Sequence, residues 1–380
     1  MDSNVLIIGG GIGGLALALA LDRHGISATV CERAPELREI GAGLLLTPNA
    51  SWVLHRLGLL EEIREQARVA RSWQILDSHG RPLQHFAAGG DENAPSLSIT
   101  RAALQTLLCR QLKPNVLRLG YEAMAIEDTG VRDQPAVSFT NGRVISAKII
   151  VGADGGRSII RRNWFDPSPL QIHRYVGWRA LVPDIPDDWC DGLITESWAE
   201  GCRFGIAPVE HDRTYWYATE NITAEWKSPV GKKAHLLEKF RGWHEPIRHL
   251  IEATPEKNIL LSDIADHPIR PIWQRDRITL LGDAAHLMTP NLGQGAAMAL
   301  EDAWVLARCL AEFGLSDTAL SLYQKLRWKR NSAVAWQSRH VGGMIQLENP
   351  AAWRLRNLAL RCTPDSLGNW ALSSVFGFRV

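Results

Sequence analysis

Gly9, Gly11 and Gly14 form the pattern G-x-G-x-x-G, directly after the aliphatic run 4–8 and directly before residues 15–24. That second stretch has a helical pattern and ends ahead of Gly25, a suitable residue for terminating a helix. A further β-branched run, 28–31, leads into Glu32 and Arg33. A strand, glycine turn, helix, strand and acid within about 30 residues is the arrangement that binds a dinucleotide. Gly9 allows the tight turn, Gly11 lets the backbone approach a pyrophosphate, and Gly14 permits close packing of helix on strand. The helix N-terminus offers unbonded N–H groups and partial positive charge to phosphates. Glu32 is placed to accept hydrogen bonds from ribose hydroxyls, with Arg33 beside it. Position 32 does not distinguish NAD from FAD.

Two later blocks make that distinction. Residues 149–161 read as a buried strand, a turn containing Asp154 and a helix start, with the pattern G-A-D-G-x-x-S-x-x-R. Residues 278–282 are another buried strand, running into G-D-A-A-H-x-x-x-P, which contains Asp283, His286 and Pro290. Gly293 and Gly295 follow, then a long helix from about residue 296 to 313. A strand–turn–helix crossover with glycines for packing is the plain alternative for this block. Next to the turn, His286 suits a structural role better than a catalytic one.

The three blocks, in this order and at these separations, resemble the class A FAD-dependent aromatic monooxygenases of the p-hydroxybenzoate hydroxylase type, from Val5 to about Arg330. The resemblance implies tightly but non-covalently bound FAD, with NADH or NADPH as a transient co-substrate. Asp154 then belongs to a block serving both flavin and nicotinamide, and Asp283 contacts a ribityl hydroxyl. Around Pro290, Gly293 and Gly295, backbone amides approach the flavin pyrimidine. A helix N-terminus there would stabilise the negative charge of the reduced ring. Arg101, at the start of a predicted helix 102–112, is implied to reach the flavin region; a surface arginine at a helix start is the alternative. Arg38 and Gly41 to Gly43 fall where the family places a loop near the isoalloxazine.

The middle of the chain changes character. Residues 193–198, 202–208 and 213–219 read as strands, the last two joined by a polar turn at 210–212. Arg203 and Tyr215 sit on adjacent strands of one hairpin, where a suitable register would let their side chains converge. The region resembles FAD-dependent urate hydroxylases and 2-heptyl-4-quinolone 3-hydroxylases, which implies that this sheet roofs the substrate pocket. Arg203 and Tyr215 are therefore the catalytic candidates, the first to polarise an oxygen and the second to relay a proton. An exposed arginine and a cross-strand packing tyrosine would leave the same trace.

The fold class that follows is α/β: a Rossmann-like FAD-binding domain with an inserted mixed β-sheet substrate domain and C-terminal helices. The expected division is 1–70, 98–168 and 270–335 for FAD, 71–97 and 169–269 for the substrate sheet, and 336–380 for a helical tail. In the tail, apolar residues at 353, 355, 358 and 360 alternate with arginines, which predicts a helix packed on the first domain. Weak contact with a membrane surface is the alternative.

Bulk properties set the outer limits. With 42 basic and 41 acidic residues among 380, no broad field points to nucleic acid or an anionic membrane. No apolar run reaches the roughly 20 residues of a membrane span, and no secretory pattern precedes Val5. The six cysteines contain no C-x-x-C pair, which argues against a disulfide scaffold, a zinc knuckle or a dithiol redox centre and suits a reducing cytoplasm. No metal site is expected. Fifteen tryptophans suit core and interface packing, with a few left to line a pocket for a flat substrate. There is no second dinucleotide fingerprint, in keeping with a nicotinamide that binds only transiently.

The expected activity is hydroxylation of a hydrophobic aromatic or heteroaromatic compound, a 2-alkyl-4-quinolone being favoured, by NAD(P)H and O2 through a flavin C4a-hydroperoxide. Urate or phenolic-acid hydroxylation and alkene epoxidation stay open. So do a flavin-dependent double-bond reductase and a non-enzymatic FAD-binding protein. The partners expected are the aromatic substrate and O2, in a monomer or homodimer.

Overall fold

The computed structural model describes residues 3–37, 42–127, 134–183, 192–210, 213–268 and 270–379. Ser3–Ile8 is the central strand of the first sheet, and Val5, Leu6 and Ile7 are fully buried, as a strand covered on both faces requires. It pairs in parallel with Val144–Gly152 on one side and Ala28–Glu32 on the other. Ile278–Leu280 and Leu117–Leu119 extend the sheet, again in parallel, and Gln274–Arg275 closes one edge antiparallel. Helix Ile12–Arg23 is the crossover between the first two strands.

The glycine turn feeding that helix is fixed by sterics. Gly9 has φ +113°, and a Cβ there would lie 2.3 Å from the Ala153 carbonyl oxygen. A Cβ on Gly14 would lie 2.1 Å from the Gly9 carbonyl oxygen. Only hydrogen fits at either position.

The second sheet has seven strands, in the order Leu260–Asp266, Gln171–Pro183, Arg213–Asn221, Cys202–Val209, Leu193–Ala199, Ser72–Asp77 and Pro82–Ala87. All neighbours are antiparallel except Leu193–Ala199 with Ser72–Asp77, so the sheet is mixed. Alternation gives it two different faces. One buries Trp178, Ala180, Phe204, Ile206 and Trp216 against helices Lys232–Lys239 and Ile247–Ala253. The other carries Arg179, Arg203, Gly205, Tyr215 and Tyr217.

Helices Gly295–Phe313 and Asp317–Ile345 pack on each other through a buried charge cluster. Arg327 lies 2.6 Å from Glu301 and 2.7 Å from Asp302, and Arg330 lies 3.0 Å from Glu301. Asp302 also meets His286 at 2.6 Å and accepts a hydrogen bond from the Gly282 N–H at 3.1 Å. Burial alone would raise the Asp302 carboxyl; His286 and Arg327 overcome it and hold the group below the usual carboxylate range.

The C-terminal region departs from expectation. Asp317–Ile345 runs unbroken through the anticipated boundary at 335/336. Helix Pro350–Cys362 packs on the edge strand Pro82–Ala87 of the second sheet, whereas the sequence reading placed it on the first domain. Leu360 is the reason: it joins Ile75, Leu83, Trp198 and Ile345 in a separate apolar cluster. The helix thus covers an apolar patch spanning three strands of the second sheet. Among the described residues no helix is long and apolar enough to cross a membrane.

Arg327→Met should cost about 3–5 kcal/mol, because it leaves two buried carboxylates without their shared cation. Asp302 is depressed in the folded state, so its contribution is complete above an unfolded pKa of about 3.9 and is lost as pH falls through the lower folded value. Denaturant unfolding at several pH values should therefore show the gap between wild type and variant narrowing below about pH 4. A gap under about 1 kcal/mol at neutral pH would show the cluster to be energetically idle.

Candidate active site

A cleft of about 850 Å³ opens between the Gly9–Gly11 turn, Glu32 and Arg33, the start of helix Arg101–Arg110, and the segment from Asp154 to Arg162. Glu32 accepts hydrogen bonds from the Gly10 N–H at 2.7 Å and the Ala34 N–H at 3.0 Å, which fixes its carboxylate at the cleft wall. Gln105 donates to the Gly10 carbonyl at 2.6 Å and braces the turn from the other side. Nothing but Arg101 comes within 4.0 Å of a Cβ built on Gly11, so the space above this glycine is open. Helix Ile12–Arg23 has no side-chain cap, leaving its first N–H groups for a ligand.

Asp154 caps the next helix with one oxygen, accepting from Ile159 N–H at 2.7 Å and Ile160 N–H at 3.3 Å. Its other oxygen, Oδ1, is buried with no partner. Burial raises this carboxyl, against the hydrogen bonds from Ser158, Ile159 and Ile160 that pull it down. Arg161, the last residue of the G-A-D-G-x-x-S-x-x-R block, leaves Nε and Nη1 buried and unpartnered on the same cleft. An orphaned acceptor, orphaned donors, uncapped amides and open space above Gly11 fit a dinucleotide with hydroxyls and phosphates.

Arg101, at the cleft, lies close enough for its charge to act on Asp283. Asp283 is exposed, yet protein crowds it enough that desolvation raises its carboxyl, with His286 and Arg101 opposing. Its Oδ1 lies 3.7 Å from a Cβ built on Gly295, so Asp283 adjoins the start of the long helix. Pro290 is exposed and Gly293 adopts a left-handed φ of +63°. Gln294, the residue before that helix, turns its side chain away: its amide donates to Thr47 at 2.9 Å and accepts from Asn49 at 3.1 Å. The helix therefore begins without a side-chain cap. His286 is fully buried against Asp302, a structural position. Arg38 and Gly41 lie outside the described residues. Gly43 is not at the dinucleotide cleft; a Cβ there would lie 2.5 Å from Cγ of Tyr215, so this glycine makes room for the tyrosine ring.

The strand register decides which residues of the second sheet meet. Arg203 pairs with Thr219, Gly205 with Tyr217 and Ala207 with Tyr215. Arg203 and Tyr215 share a face, but Tyr217 stands between them. The Arg203 guanidinium lies 5.4 Å from the Tyr217 ring centroid and meets Glu196 at 3.3 Å. Its other terminal nitrogen donates to the Asn291 side-chain oxygen at 3.1 Å. Tyr217 reaches Glu196 by crossing over Gly205, where a Cβ would lie 2.1 Å from its Cζ, and donates its hydroxyl to the carboxylate. Trp198 Nε1 donates to the same carboxylate at 2.7 Å. Asn291 is held in turn by Tyr175 and by the Ser338 carbonyl, each at 3.1 Å. Glu196, Tyr217 and Asn291 were missed; the one available signal was a glutamate in phase with the apolar residues of its strand.

Comparison with known proteins agrees with this geometry. The model of a family described as an FAD binding domain matches residues 2–338. The aurachin C monooxygenase/isomerase of Stigmatella aurantiaca is 38% identical over 365 residues, 94% of this chain and 93% of the relative. The 2-heptyl-3-hydroxy-4(1H)-quinolone synthase of Pseudomonas aeruginosa is 34% identical, over 95% of this chain and 94% of the relative. Among solved structures, Klebsiella pneumoniae HpxO complexed with FAD and uric acid superposes with a TM-score of 0.89 at 25% identity, covering 99% of this chain and 96% of that one. A match over most of the chain, with the glycine turn and the Asp154 block around one cleft, makes this protein a member of the FAD-binding class A flavoprotein aromatic monooxygenases.

Proposed function

We propose that this monooxygenase uses NADH or NADPH and O2 to hydroxylate a neutral, hydrophobic heteroaromatic ring, with 2-alkyl-4-quinolones as the substrate class. The observation that carries this reading is the state of Arg203. A pocket built to bind a carboxylate or urate anion through this arginine would need it free, but Glu196 neutralises it and Asn291 takes a further donor. Displacing Glu196 would leave a carboxylate buried and unpaired, at a cost of several kcal/mol. A relative named as a 2-heptyl-3-hydroxy-4(1H)-quinolone synthase, at 34% identity, supports the same class.

FAD in the cleft would supply the redox chemistry, accepting hydride from the nicotinamide and activating O2 so that one oxygen atom enters the ring and the other leaves as water. The chain's own residues would hold and shield it. Glu32 and Asp154 would accept from hydroxyl groups, Arg33 would lie along the adenosine side, and the amides after Gly11 would meet the phosphates. Asp283 and Arg101 would hold the inner end. The uncapped start of Gly295–Phe313, reached through Pro290 and Gly293, would direct its N–H groups and partial positive charge at the ring when it is reduced. Tyr215 and Tyr217, stacked with centroids 5.6 Å apart, would form an apolar wall that keeps water from the substrate. In this reading residues 1–70, 98–168 and 270–335 are the FAD unit, 71–97 and 169–269 roof the pocket, and 336–380 brace the roof. The compartment expected for it is the cytoplasm.

The test is NAD(P)H oxidation and O2 uptake by the FAD-loaded protein against 2-alkyl-4-quinolones, urate, salicylate and other phenols. A quinolone should accelerate both signals in equal amounts and gain one oxygen atom. Tight coupling to urate or salicylate with none to quinolones would refute the substrate class. Asp283→Ala should weaken FAD retention about tenfold or more, as loss of a hydrogen bond to a charged group does. A variant that purifies fully yellow with unchanged affinity would remove Asp283 from the flavin site.

A further inference from the structure

Arg179 is a second arginine on the pocket face, and neither the sequence reading nor the proposed cycle gives it a task. It pairs with Tyr217 across the sheet and with Leu260 on its other side, which places it diagonal to Tyr215. Its Nε is buried with no hydrogen-bond partner, and no ion pair engages it among the described residues. Arg203, on the same face, also leaves its Nε buried without a partner, but Glu196 neutralises its charge, and among the described residues no carboxylate does so for Arg179.

Tyr215 matches it. No hydrogen bond reaches the Tyr215 hydroxyl among the described residues, whereas that of Tyr217 is bound to Glu196. Burial pushes the Tyr215 phenol up to about 12, with Arg179 and then Arg203 pulling it down, so it stays a neutral donor near neutral pH and lies within the field of Arg179. Both side chains are half-buried, and Gly43 gives way to the Tyr215 ring. Two unsatisfied donors converging from adjacent strands form a site for an acceptor oxygen.

We propose that Arg179 and the Tyr215 hydroxyl bind the ring carbonyl oxygen of the substrate, and so determine which ring carbon is presented for hydroxylation. The inference rests on the quinolone reading above and adds the residues that recognise the 4-oxo group. Arg179 is a specificity-determining residue on this view, and Tyr215 keeps its place at the substrate with Arg179 as partner in place of Arg203.

The test is a ligand–residue cycle on the FAD-loaded protein. Binding of 2-heptyl-4-quinolone and of 2-heptylquinoline, which lacks the oxo group, is read from the change in flavin absorbance. Arg179→Met should weaken binding of the quinolone about 10- to 100-fold and leave the quinoline little changed. Arg179→Lys should recover part of the loss, and Tyr215→Phe should show a smaller loss of the same kind. Should Arg179→Met fail to retain FAD, the other two variants carry the comparison. Quinolone binding within about twofold of wild type in all the FAD-retaining variants overturns the inference and leaves the substrate class standing. A wild type that binds neither compound overturns the substrate class itself, and the inference with it.

Discussion

A buried arginine needs its charge compensated, and the two terminal nitrogens of Arg203 obtain partners from two different parts of the chain. Glu196 supplies the opposite charge from the neighbouring strand, and Asn291 supplies an acceptor from the loop between the Asp283 turn and the long helix. Breaking either contact would leave a desolvated charge short of a partner, which costs more than the contact itself is worth. The pocket sheet is thereby tied to the loop expected to border the flavin. Tyr217 and Trp198 complete the coordination of Glu196, so the carboxylate has little freedom to release the arginine.

The same loop is anchored from below. Asp302 holds the Gly282 amide and His286, while Arg327 ties Asp302 and Glu301 to the following helix. Gln294 is drawn toward Thr47 and Asn49, away from the helix it precedes. Two polar networks thus position one short segment. The helix start keeps its amides uncapped, and the loop that leads to it is hydrogen-bonded on both faces.

The dinucleotide fingerprint was legible because its determinants are local: spacing, a strand before and a helix after, each within a few residues of the turn. The hairpin of the second sheet was legible too, and its strands occupy nearly the ranges read from alternation, as Cys202–Val209 and Arg213–Asn221. Its register was not. Pairing 203 with 219 puts Tyr217 beside Arg203, and a shift of two residues would have made Tyr215 the neighbour. The packing roles of Gly43 and Gly205 were not legible, because each is small for a tyrosine distant in sequence or across a strand. Glu196 gained its importance from a cross-sheet contact. The helix at 350–362 was correctly placed along the chain and misplaced in space, since periodicity shows that a face is apolar and says nothing of what covers it.

The most direct test of this account is a crystal structure of the protein with FAD and whichever substrate it turns over. The account predicts that Arg203 stays bonded to Glu196 and Asn291 while a neutral ring lies against Tyr215, with the flavin pyrimidine at the uncapped start of Gly295–Phe313. An Arg203 swung away from Glu196 to hold an anionic group of the substrate would contradict it.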